Sequence, residues 1–220
     1  MDWSAAILTL KLAALSTGIL LLLGLPLAYW LATTKWRFSF IVEALVTLPI
    51  VLPPTVLGFY LLVAMSQTNP AGRLFQSLAG FSLPFTFAGI LVGATIFNMP
   101  FAIRPFVSAF ASVDRKLIEE SWCLGVSKAG TLLKVVVPMA WPGILTGLIL
   151  SFAHTIGEFG VVLMLGGNIP GVTRTISIAI YDQAQAMDYA AANRMALVLM
   201  GVSFAALCAT YALQRKSMPL

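Results

Sequence analysis

The sequence predicts an all-α polytopic membrane protein with about five transmembrane helices, its N-terminus outside and its C-terminus inside. Three observations lead there. The 220 residues are 60% hydrophobic and 10% charged, with a mean hydropathy of +0.95, a balance that belongs to helical membrane proteins and not to soluble domains. Five stretches are apolar for the roughly 20 residues that a bilayer crossing takes, and their continuous, non-alternating pattern excludes β-barrel strands. The basic residues are shared unevenly between the two sides. Lys35, Arg37, Arg104, Arg115, Lys116, Lys128, Lys134, Arg215 and Lys216 lie on one, and only Lys11, Arg73, Arg174 and Arg194 on the other. By the positive-inside rule the richer side is the cytoplasm.

The first span is expected over residues 12–32. Asp2 replaces the basic start of a signal peptide and the apolar run is too long for one, so this span is not read as cleavable. Span two covers residues 44–65, followed by an outer connection with a half-helix over 74–78. Span three covers 85–103 and meets Arg104, which is expected to snorkel to the headgroups, attraction of an anion being the secondary reading. Span four covers 135–153, with a continuation to 165 left open, and span five covers 195–212. Between them, 166–171 is turn-rich and 175–187 is long enough for a short outer helix. Gly89/Gly93 and Gly143/Gly147 are small-xxx-small pairs that let helices pack closely. Cys123 and Cys208 are expected as free thiols. The net charge of +5 needs no nucleic acid to explain it, because the cytoplasmic Lys and Arg account for most of it.

Residues 113–138 form the one long polar segment. Asp114 is placed to cap a helix whose first turns hold Glu119 and Glu120. Gly125 supplies the left-handed residue that stops it, and Ser127 caps a second helix. A helix, sharp turn and helix on the cytoplasmic side read as a docking element for a soluble partner; the competing reading is an amphipathic helix lying on the membrane.

Span two carries Pro49, Pro53, Pro54, Thr55 and Gly58. Prolines remove amide donors and free carbonyls, so this helix must bend or break. A break at membrane depth is tolerated beside protein or a watery path, which makes these residues pathway or gate candidates; a kink that merely serves packing is the alternative. His154 and Glu158, four apart near the end of span four, share a helix face and are expected to be able to pair. Ionisable groups inside a span are functional candidates by default. Glu158 reads better as structural, since a carboxylate repels an anion, while His154 stays open between the two roles. There is no phosphate-cradling Gly-x-x-x-x-Gly-Lys motif, no hydrolase nucleophile motif and one histidine, so neither catalysis nor a metal centre is expected of this chain.

The segment Glu119, Glu120, Ser121, Gly125, Val135, Val137 and Pro138 resembles the EAA loop of ABC-importer permeases, with Glu120 and Ser121 standing for its two small residues. Over nearly the whole chain, the runs 48–58, 151–160 and 167–176 are similar to motifs of molybdate permeases, with looser versions in sulfate permeases. The resemblance implies a type I ABC importer fold, with residues 1–220 as one permease domain and 113–138 as the coupling loop. It implies a multi-pass protein of the bacterial inner membrane, importing molybdate or tungstate. Asp114, Glu119, Glu120, Ser121, Gly125, Ser127 and Pro138 become the ATPase-coupling residues. The implied partners are a second copy of the chain, two cytoplasmic ABC ATPase subunits that use ATP and Mg, and an extracytoplasmic oxyanion-binding protein. No cofactor is expected on the chain itself. A sulfate or thiosulfate permease, or a secondary transporter working through His154 and Glu158, are the alternatives.

Overall fold

The computed structural model describes residues 2–217, with side chains as far as residue 212. All regular elements among them are helices. Helix α1 (Trp3–Thr33) crosses first, opened by Asp2, whose carboxylate accepts from the Ala5 amide at 3.0 Å. That bond holds the Asp2 carboxyl below its usual range. One π turn over Leu20–Gly24 sits at mid-span. Next come α2 (Ser39–Val51) and α3 (Pro54–Met65), which meet at a 115° bend. The expected second span is therefore two helices. Pro53 has no amide to continue the ladder and Leu52 turns extended at ψ 138°, so the chain leaves α2 there and restarts on Pro54.

The outer helix α4 (Pro70–Ala79) is capped by Asn69, whose side chain accepts from the Ala71 amide at 3.0 Å. Then α5 (Phe87–Ala111) runs well past the expected end of span three and forms the centre of the fold, packed against α1, α2, α3 and, later in the chain, the helices over Val137–Gly157 and Gly160–Gly166. After α6 (Arg115–Cys123), the fourth span, α7 (Lys128–Gly157), begins seven residues earlier than expected. A π turn over Leu132–Val136 precedes Pro138; the Val137 amide reaches back to Leu132, so the missing proline donor is absorbed without ending the helix.

The expected continuation of this span to 165 is a separate short helix, α8 (Gly160–Gly166). The outer helix α9 (Ile176–Gln185) and the last span α10 (Tyr189–Ser217) complete the chain. Gly143 and Gly147 lie against α5: a β-carbon there would stand 2.6 Å from Ala109 Cβ and 2.8 Å from Phe106 Cε1 respectively. The close approach expected of that glycine pair is thus used at the α5–α7 seam. Three buried clusters hold the bundle, one around Leu12, Ile90, Val161 and Leu165, another around Ile103, Phe106 and Ile144, and a smaller one that joins Ala5, Ile176, Ala179 and Met195.

Candidate functional site

The cytoplasmic elbow is built from its caps. Asp114 accepts from the Lys116 amide at 2.9 Å and starts α6. At the other end Gly125 adopts φ +78°, its amide reaches Trp122 O at 2.9 Å and the Val126 amide reaches Ser121 O at 3.1 Å. Those two bonds are the paired pattern of a Schellman stop, which satisfies the last carbonyls of α6 while turning the chain back. Ser127 then caps α7 by accepting from the Gly130 amide at 3.2 Å. Ser121 is buried, its hydroxyl 2.8 Å from that of Thr131, and so ties α6 to the first turn of α7. Glu119 and Glu120 face out, with Glu119 2.9 Å from Arg115, and Leu124 at the tip is 84% exposed. The second helix of the expected helix–turn–helix is therefore the root of span four, and Pro138 lies inside that span.

The bend in span two is packed against α8. Gly58 is buried, and a β-carbon there would stand 2.7 Å from Met164 Cβ and 3.2 Å from Val161 Cα. Reciprocally, a β-carbon on Gly160 would stand 2.7 Å from Pro54 Cβ. Pro49 is also buried, while Pro53, Pro54 and Thr55 are exposed. The expectation that Gly58 faces a path is thus corrected: its lack of a side chain seats α8, and Thr55 keeps the open surface.

His154 and Glu158 do not pair. Helix α7 ends at Gly157 and Glu158 turns extended (φ −67°, ψ 131°), so the shared helix face on which the pairing depended is lost. Glu158 instead accepts from the Val161 amide at 2.8 Å and holds the start of α8, 5% exposed. His154 Nδ1 lies 2.9 Å from Asn98 Oδ1 on α5, while Asn98 Nδ2 donates to Ala94 O at 2.7 Å. Its ring stacks on Phe101 at 3.9 Å between centroids.

On the outer face, Arg174 Nε donates to Asn168 Oδ1 at 2.6 Å and Asn168 Nδ2 to Asp182 Oδ2 at 2.7 Å, with Arg174 Nη2 3.1 Å from the same carboxylate. This triad pins the turn between α8 and α9 to α9. Asn168 and Arg174 fall in the run 167–176, whereas Asp182 lies outside it, and its partners are too far along the chain for any helix spacing to reveal.

Between α5 and α7 runs a groove of about 570 Å³ in which Ser108, Ser112 and Thr146 alternate with apolar residues such as Met139, Ala140 and Leu150. A second cavity of about 270 Å³, between α2 and α5, shares Ser108 with it and holds both Arg104 and Glu43. The sequence signal for Glu43 is an acidic residue near the start of an otherwise uncharged apolar helix.

Several apolar spans, one of them sharply bent, with a capped elbow on the basic side, are the architecture of a multi-pass membrane permease. The chain belongs to the family of binding-protein-dependent transport system inner membrane components, which it matches over residues 21–217. It is 48% identical to the "Molybdenum transport system permease protein ModB" of Azotobacter vinelandii, over 97% of this chain and 95% of that one. It is 31% identical to the "Probable sulfate transport system permease protein cysT" of Chlorella vulgaris, over 90% of this chain and 74% of the relative. Its fold is that of a chain of the MetNI methionine ABC transporter in an inward-facing conformation, with a TM-score of 0.72 over 100% of this chain and 97% of the other, at 18% identity.

Proposed function

We propose that this chain is the membrane subunit of an ATP-driven importer for molybdate, forming the pathway as a homodimer. Two cytoplasmic ATPase subunits hydrolyse ATP with Mg and take α6 into a groove, and an extracytoplasmic binding protein delivers the anion. The chain itself binds no cofactor and catalyses nothing. One observation carries the coupling reading: the exposed face of α6 is joined to span four by the Schellman stop, the Ser121–Thr131 hydrogen bond and a helix uninterrupted from Lys128 to Gly157. A displacement of α6 is thereby delivered to a helix that lines the α5–α7 groove. The coupling residues are Asp114, Glu119, Glu120, Gly125 and Ser127, with Ser121 and Pro138 acting within the elbow and its span. Thr55, Pro53 and Pro54 at the open side of the bend are the pathway candidates. The choice of molybdate over sulfate rests on the closer relative, at 48% against 31% identity.

The test is reconstitution in vesicles with the ATPase and the loaded binding protein. ATP-dependent uptake of radiolabelled molybdate, poorly competed by sulfate, is the expected result. Equal competition by sulfate would move the assignment to the sulfate class, and uptake without ATPase subunits would overturn the importer reading altogether.

A further inference from the structure

The cavity between α2 and α5 brings two opposite charges into one space. Arg104 lies seven residues before the end of α5 and Glu43 four residues after the start of α2. At 1.5 Å per residue, that puts them about 10 Å and about 6 Å inside the cytoplasmic ends of their helices. Both are exposed side chains that line the same open cavity, otherwise walled by Leu31, Val46, Ile103 and Val107 with Ser108, and no ion pair joins them among the described residues. Ser108, one turn beyond Arg104 on α5, belongs both to this cavity and to the groove beside α7. Arg104 is the one cation among the residues lining these two spaces.

A guanidinium presents a planar fork of N–H donors that fits two oxygens of a tetrahedral oxyanion, and it fits the two oxygens of a carboxylate equally well. We propose that Arg104, with the Ser108 hydroxyl beside it, is a transient oxyanion site at the inner end of the pathway. Glu43, across the cavity, is the counter-ion that takes the guanidinium back and so releases the anion to the cytoplasm. This rests on the oxyanion-importer reading given above. Passage requires a site favourable enough to enter and weak enough to leave, and a competing carboxylate in the same cavity supplies the second condition. It also fixes a sign: with Arg104 gone, Glu43 is left as a lone negative charge that repels the cargo.

The experiment uses the assembled importer in vesicles and reads molybdate uptake per ATP hydrolysed, so that loss of folded protein does not count. Arg104→Gln is expected to lower that ratio on the order of ten-fold, the scale of a charge-assisted hydrogen bond. Arg104→Lys, which keeps the charge without the fork, retains more of it. The double variant Glu43→Gln with Arg104→Gln is expected to recover several-fold over Arg104→Gln alone, because the lone carboxylate is gone. An unchanged ratio in Arg104→Gln, or a double variant no better than the single one, would overturn the proposal. The same variant pattern with sulfate as the transported anion would uphold the site while overturning the choice of cargo.

Discussion

Asn98 fixes the proton on His154. Ala94 O can only accept, so the Asn98 NH₂ that donates to it at 2.7 Å leaves Oδ1 facing the ring, and the 2.9 Å contact requires His154 Nδ1 to be the donor. A buried polar side chain on α5, 0% exposed, is satisfied on both sides by this arrangement. Asn98→Leu strands the imidazole N–H at the α5–α7 seam, and the lost pairing costs about 1–3 kcal/mol. The check is the thermal midpoint in detergent, which should fall; a midpoint equal to that of the parent chain would mean the pair contributes no stability.

Gly125 carries φ +78° with open space where a β-carbon would stand, so a substitution there is penalised by backbone strain and not by a clash. A left-handed residue other than glycine costs roughly 1–2 kcal/mol, least for asparagine. Gly125→Val is therefore expected to leave a folded membrane domain whose ATP hydrolysis is uncoupled from uptake, and Gly125→Asn to be the milder change. Equal behaviour of the two in an uptake assay would refute the backbone explanation.

The Arg115–Glu119 pair is exposed on both sides (80% and 54%), and such pairs contribute roughly 0–1 kcal/mol. Arg115→Ala should accordingly change neither stability nor recovery of the ATPase. Glu119→Lys is different: it reverses the charge on the face offered to the partner and sets two cations one turn apart. Copurification of the ATPase should be lost in that variant, and undiminished recovery would remove Glu119 from the interface.

Cysteine substitution separates the two ends of the motif around the bend. A cysteine at exposed Thr55 should react with a water-soluble thiol reagent, with labelling that changes with nucleotide state. A cysteine at Gly58 should not label, because its β-carbon would stand 2.7 Å from Met164 Cβ and 3.2 Å from the backbone of Val161. It should instead lower the yield of folded protein. Free labelling at residue 58 would mean that α8 does not rest on α3.

The parts of this fold legible in the sequence were those set by local chemistry. Asp114, Gly125 and Ser127 each act within a few residues of themselves, and the caps and stop were readable from residue type and spacing. The prolines at 53 and 54 announced a break, because a missing amide has the same consequence wherever the helix lies. What failed depended on partners distant in sequence or on one backbone torsion. The His154–Glu158 pairing assumed a helix that stops at Gly157, and His154 instead found Asn98, 56 positions away. Glycine at 58 looked like part of an open wall, since nothing local reveals that another helix occupies the space. The burial of Ser121 is illegible for the same reason: its partner Thr131 becomes a neighbour only after the elbow has turned.

The seat of α3 has a consequence for how the chain is made. Residues 54 and 58 rest on 160, 161 and 164, which are synthesised more than a hundred residues later. While the ribosome is between those points, the second arm of the bend has its glycine notch empty, with an apolar surface and no charge to fix its depth. Its final tilt is thus a late event in biogenesis, waiting on the arrival of α8. A nascent chain halted after Gly157 should hold this arm in an environment accessible to lipid or chaperone, and one extended past Gly166 should bury it.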